Sequence, residues 1–357
     1  MLLDDNKDMS FKQEKDDTGL RNSAGSEWPN NENKLFAIPQ SDITVNICKG
    51  IMKLRHAEVD KYINYRAYVD LENKSNDVMH FEVDASDKFI TKLIGADEVL
   101  EVIKNIRASQ IQLFQYILYK CNQQSGSEIN INIQEFLSLR NINRRQENVE
   151  RVLQDIAILS CIKMDLNASY KGQTSRENGN LLVIKGINYY GRSDIVCERL
   201  KNSKIKFIAV ELGSWYEKVK LKQFAFVEES FFRYNSKTDW VAISLSIKLG
   251  QLLRTNNKTI FKNGYRNCKL KTLINHLSIE ESDIIKQGHK HYYEIFLRAF
   301  NTLIKEGYKI NIDKLENYKT TEDFINCNIK FSNEILINEY KAIKRIVPKK
   351  KKNNVSE

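Results

Sequence analysis

No stretch of the 357 residues reaches the ~18 consecutive apolar side chains that a membrane-spanning helix needs. The acidic start of the chain also lacks the basic-then-apolar pattern of a secretory signal, so a cytoplasmic protein with no membrane partner is expected. The six cysteines (Cys48, Cys121, Cys161, Cys197, Cys268, Cys327) stand singly with no CxxC pair. Zinc sites need clustered ligands and disulfide frameworks occur in short secreted chains, which leaves a reduced protein with no metal and no cofactor as the expectation. GxxxxGK[ST], GxGxxG and HExxH are all absent, and the carboxylates show no paired arrangement, so no catalytic residues are assigned and an enzyme is not expected. Only three prolines occur, against many Lys, Asn and Ile, as AT-rich coding produces in bacteria or mobile elements.

What is present is charge and apolar periodicity. The apolar fraction of 41 %, with 16 Tyr and 16 Phe, is enough for packed cores, and the length suits at least two of them. Lys and Arg exceed Asp and Glu by 56 to 46, a net +10 that favours a polyanionic partner. Residues 1–33 hold four basic against eight acidic side chains and read as a disordered acidic leader, while 341–357 hold seven against one. The span between them retains +8, so much of the positive charge belongs to folded parts.

Residues 34–100 form an N-terminal segment whose role is not legible, with a β-hairpin expected from Ala67–Leu71 and Val78–Val83. From Ser109, a candidate N-cap, Ile111, Phe114 and Leu118 recur at helical spacing. A short strand (128–133), a second helix (134–139), a turn at Asn141–Asn143 and a longer helix (144–159) follow. The longer helix buries Val149, Val152, Leu153 and Ile156. Two strands, around Ile162–Leu166 and Leu182–Ile184, are expected to flank a polar loop carrying Lys171 and Arg176. This is the order of a winged helix-turn-helix, whose third helix enters the major groove while the hairpin loop touches the backbone. After a connector (191–238) the order recurs: helix 239–254, short strand 259–261, helix 269–277, turn region 278–288, and long helix 289–306 stopped by Gly307. Strands at Tyr308–Ile312 and Ile325–Phe331 then enclose Lys314 and Lys319. The expected fold class is therefore α+β and helix-rich, with two winged helix-turn-helix domains in tandem at 101–190 and 239–346 and a basic tail at 347–357.

On the first long helix, Arg144, Asn148 and Arg151 lie opposite the buried stripe, with Arg145 beside them. Arginine pairs with guanine O6/N7 and asparagine with adenine N6/N7, so these are candidate base readers. The second helix offers Gln287, Lys290, His291 and Arg298, with Glu294 placed to pair with Arg298. Lys171, Arg176, Lys314, Lys319, Lys349 and Lys350 are candidate phosphate contacts, which add affinity without sequence information. A rival pattern is His289-Lys290-His291 before Tyr292 and Tyr293, similar to the paired histidines and nucleophilic tyrosine of metal-dependent DNA-nicking proteins. Two histidines at i and i+2 share a metal on a strand, but on a helix they point roughly 200° apart, and the neighbouring apolar spacing favours a helix.

Tandem winged helices with a connector and a basic tail resemble the iteron-binding replication initiators of theta-type plasmids, over about residues 100–345. The resemblance implies binding of double-stranded DNA at repeated origin sites, opening of an AT-rich segment, recruitment of a host replicative helicase or initiator, and possible homodimers. It also implies that Ile111–Leu118 lie near a dimer surface and that Arg298 and its neighbours make the main base contacts. A dimeric transcriptional regulator or partition protein is the alternative that the same modules would serve.

Overall fold

The computed structural model describes residues 35–54, 66–70, 78–84, 87, 104–124, 126–170, 173–189, 205–219, 224–255, 260, 262–311 and 318–346. The acidic leader and basic tail lie outside these residues. The described chain mixes α-helices with small sheets. It opens with strand β1 (Leu35–Pro39), helix α1 (Asp42–Leu54), and strands β2 (Arg66–Asp70) and β3 (Val78–Val83), which pair antiparallel as the expected hairpin. The Ser41 hydroxyl accepts from Thr44 N at 3.3 Å and the Thr44 hydroxyl accepts from Ser41 N at 2.8 Å, a reciprocal cap that starts α1.

Helix α2 (Ala108–Gln124) follows, then β4 (Glu128–Asn132), α3 (Ile133–Leu139) and α4 (Gln146–Cys161). Along β4 Ile129 and Ile131 are buried while Glu128, Asn130 and Asn132 are exposed. The Asn132 side chain accepts from Glu135 N at 3.2 Å and so converts strand directly into helix. In α4 the expected stripe of Val149, Val152, Leu153 and Ile156 is buried.

Three expectations for this region are corrected. Ser109 does not cap α2; it lies inside the first turn and is buried, and its hydroxyl bonds Asp155. Nor do Ile111–Leu118 offer a dimer surface, because every residue from Ile111 to Leu118 is buried within the chain, including Gln112 and Gln115. The polar stretch read as a loop is itself a strand: β5 (Ile162–Tyr170) pairs antiparallel with β6 (Gln173–Asn180), placing Arg176 opposite Asn167. Alternation of apolar residues could not reveal β6, since it has no apolar side chain and forms the edge of the four-stranded sheet β2-β3-β5-β6. Strand β7 (Leu182–Tyr189) turns away from this sheet and pairs with β8 (Ile205–Leu212), which also pairs with β4, giving the order β4-β8-β7.

The stretch read as a connector thus carries β8 and, after it, α5 (Trp215–Val219), β9 (Phe224–Glu228) and α6 (Ser230–Arg233). Then come α7 (Trp240–Arg254), β10 (Arg266–Lys269), α8 (Leu270–His276), α9 (Glu281–Gln287) and α10 (His289–Lys305). The last elements are β11 (Tyr308–Ile310), α11 (Thr321–Asn326), β12 (Asn328–Asn333) and α12 (Glu334–Ile346). The short strand lies at 266–269 rather than 259–261, where Ile260 is helical and fully buried. The expected turn region holds α9, separated from α10 by Gly288 at φ +84°. Ile325 is helical and Cys327 ends that helix, because the Thr320 side chain caps α11 by accepting from Asp323 N at 3.1 Å. Gly307, at φ +88°, stops α10 as its position predicts. The sheet order is β10-β12-β11.

The two halves share one core. Strand β1 pairs with β9, and α2 packs on both β1 and α7. The Gln112 amide donates to the carbonyls of Phe231, Tyr234 and Phe232 at 2.8, 3.1 and 3.3 Å, satisfying the end of α6 from within α2. Tyr340 Oη accepts from Phe226 N at 3.1 Å, and Gln251 Nε2 donates to Asp42 Oδ1 at 2.6 Å. These buried polar ties fix α7, α12 and the N-terminal segment to one another, because each bond lost inside the core would leave an orphaned group.

Candidate nucleic-acid interface

The start of α4 is shaped by the residues just before it. Asn141 sits at φ +54°, a left-handed turn that asparagine tolerates, and reverses the chain after α3. Arg144 Nη2 donates to the carbonyl of Ile205 on β8 at 2.6 Å, pinning the helix entrance to the sheet. Arg145 occupies the N-cap position with no side-chain capping bond and is exposed. Asn148 Nδ2 donates to Asn143 O at 2.8 Å, and Arg151 pairs with Glu147 one turn back on the exposed face. Exposed pairs of this spacing contribute only ~0.3 to 0.5 kcal/mol, so Arg151 is readily surrendered to another anion.

On α10, Lys290, His291, Glu294 and Arg298 are exposed, while Tyr292, Phe296, Ala299, Phe300 and Leu303 face the core. Gln287 belongs to the end of α9 and not to this helix. The Glu294–Arg298 pair does not form among the described residues; Arg298 instead borders a small hollow with Trp240 and Thr302. His289 and His291 lie on the same helix two residues apart, as the spacing of apolar residues requires; their rings lie 6.2 Å from Phe324 and 5.3 Å from Tyr292. Lys319 is exposed just before α11. Lys171, Lys314, Lys349 and Lys350 lie outside the described residues, as does the side chain of Arg176.

Sequence reasoning missed a second basic cluster beside α4. Arg107 precedes α2, Arg140 caps the end of α3, and Arg233 and Lys237 flank the turn between α6 and α7; with Arg151 they line one cavity of about 450 Å³. They are spread over 131 positions of chain, so no local motif could have joined them. Asp155 forms part of the wall, accepting from Gln110 Nε2 at 2.6 Å. Burial pushes its carboxyl up to about 6 against the opposing pull of Arg140, Ser109, Arg107 and Gln110. Burial likewise lowers the Arg140 guanidinium pKa, with Asp155 opposing and Arg151 reinforcing the shift.

No family model matches this chain, and no curated protein matches it. Two solved structures share a likeness at low identity. Selenomethionine derivatives of domains 2 and 3 of RctB superimpose with a TM-score of 0.41 at 9 % identity, covering 80 % of this chain and 97 % of that one. RctB domains 2-3, residues 155–483, give a TM-score of 0.39 at 10 % identity, covering 82 % and 99 % respectively.

Proposed function

We propose that the chain binds double-stranded DNA through two winged-helix modules, at 104–212 and 240–346, and acts at a replication origin of plasmid type by binding and opening DNA without chemistry of its own. The observation that carries this reading is a repeated topology. Both halves contain a helix, short strand, helix and long helix and two later strands, with β5 and β6 intervening in the first half and α9 and α11 in the second, and the short strand pairs with the last of those strands, in the orders β4-β8-β7 and β10-β12-β11. In that arrangement the long helices α4 and α10 are the groove readers. Arg145 and Arg151 on the first, and Lys290, His291 and Arg298 on the second, have suitable exposed chemistry.

Strand β7 pairs with β8 and not with β6, the strand that carries Arg176, which pairs with β5. Arg144 serves the fold in this reading, because its guanidinium is held on β8. Two readers in one chain, tied through a common core, favour long or repeated sites, which is the support for an initiator over a regulator with one module. Homodimers and a host helicase or initiator as partners belong to the same proposal.

The test is binding of purified protein to fragments of the DNA flanking its own gene, across a salt series. Specific binding to repeats, weakened by about 1 to 3 kcal/mol in Arg145→Ala and in Arg298→Ala, is expected. Binding that is indifferent to sequence and to both substitutions would remove these helices as readers.

A further inference from the structure

The cavity beside α4 has the composition of an anion receptor. Five cations (Arg107, Arg140, Arg151, Arg233 and Lys237) face a volume of about 450 Å³ whose wall contains one carboxylate, Asp155. Two of the five are paired one helical turn away, Arg151 with the exposed Glu147 and Arg233 with the half-buried Glu229. The Nε of Arg140 is buried with no hydrogen-bond partner, while the guanidinium lies 5.7 Å from the Phe136 ring centre. A buried cationic N–H left unsatisfied is costly, and an incoming acceptor would relieve it. The remaining lining offers hydroxyl and amide groups, Ser109 and Asn148 among them, and apolar side chains such as Leu137 and Ile142.

We propose that this cleft is a phosphate-binding site. The planar guanidinium fork matches the paired oxygens of a phosphate, and several forks converging from different elements match consecutive phosphates better than a lone carboxylate. The volume falls within the range of sites for small organic ligands, about 300 to 1,000 Å³. The phosphates could belong to a free phosphorylated compound or to the DNA backbone. Because Arg151 stands on both the cleft and the reading helix, occupancy by a free compound would bear directly on α4.

Inorganic pyrophosphate and a duplex of flanking DNA serve as the two probes, titrated against the full chain by calorimetry and by anisotropy. If a free phosphate compound is the ligand, pyrophosphate binds one to one and Arg140→Gln weakens it by at least about tenfold, the effect of one charge-assisted hydrogen bond. Asp155→Asn removes the like charge, keeps an acceptor for Gln110, and tightens pyrophosphate by about fivefold. If the DNA backbone is the ligand, pyrophosphate binds weakly, and Arg140→Gln lowers the salt dependence of duplex binding by about one unit of slope. Since Arg140 is half-buried and its substitution could disturb folding, the rim variant Arg233→Gln with Lys237→Gln repeats both measurements on exposed residues. Lys271→Gln with Lys309→Gln, which do not line the cleft and are paired with Glu281 and Glu334, is the charge-matched control. The proposal is overturned if the cleft variants and the control behave alike with both probes. Pyrophosphate binding that depends on the cleft in a protein with no DNA specificity would sustain this inference and remove the proposed function.

Discussion

His276 and Asp155 are two buried titratable groups whose effects on stability oppose each other as the pH falls. His276 lies in α8, buried, with Nε2–H donating to the Ser244 carbonyl of α7 at 3.0 Å. Burial first, then Lys248 and Lys49, lowers its pKa from 6.5 to about 3. The folded chain therefore refuses a proton that the unfolded chain accepts below pH 6.5, and the stability present above that pH is lost as the pH drops toward 3. Over the whole interval this amounts to about 5 kcal/mol, of which about 2 kcal/mol is gone by pH 5. Asp155 behaves oppositely, because folding raises its pKa from 3.8 to about 6. Its ionisation penalises the folded state, so stability is greatest below 3.8 and falls by about 3 kcal/mol as the pH rises to 6. Between pH 7 and 5 the two contributions nearly cancel. Urea denaturation at pH 7, 6 and 5 should find that His276→Gln gains about 1 kcal/mol on acidification relative to a pH-insensitive baseline. Asp155→Asn should lose about 2 kcal/mol over the same range. Parallel pH profiles for the parent and both variants would refute the burial argument at both positions.

Gln112→Met should lower the free energy of unfolding by about 2 kcal/mol, because three carbonyls at the end of α6 lose their shared donor; its own buried Oε1, which has no partner, offsets part of the loss. Urea denaturation measures this. Gly213→Ala should cost more than about 2 kcal/mol or prevent folding, since a Cβ there would lie 2.1 Å from the Asn180 carbonyl oxygen, a backbone atom that cannot swing aside. Soluble yield and thermal midpoint check it. Arg144→Ala should destabilise the fold by about 1 to 2 kcal/mol through the freed Ile205 carbonyl, whereas Arg145→Ala should leave the thermal midpoint unchanged and weaken DNA binding. Comparing melting and binding for both separates a fold-supporting arginine from a reading one.

The helices were legible wherever one face alone is apolar. Val149, Val152, Leu153 and Ile156 announce α4 and its buried side without any tertiary information, and Gly307 announces the end of α10 because only glycine takes its positive φ at no cost. Helix α2 was legible as a helix but not in its surroundings: Gln110, Gln112 and Gln115 are buried although polar, since elements on several sides cover it. Pairing was decided only in three dimensions. Nothing in the polar residues of β6 marks a strand, because an edge strand is held by backbone bonds to β5 and needs no apolar side chain. Likewise, β8 completes a sheet with β4, more than 70 positions earlier, and no periodicity reports such a partner. The exposed Arg151 of α4 follows from helical spacing, but the cleft beside it required Arg107, Arg140, Arg233 and Lys237 to be brought together by the packing of α2, α3 and α6. Local sequence thus determined which segments coil and which face they bury, through side-chain periodicity. Only the tertiary structure decided which strands pair and which distant charges converge, because those depend on contacts between residues that are remote along the chain.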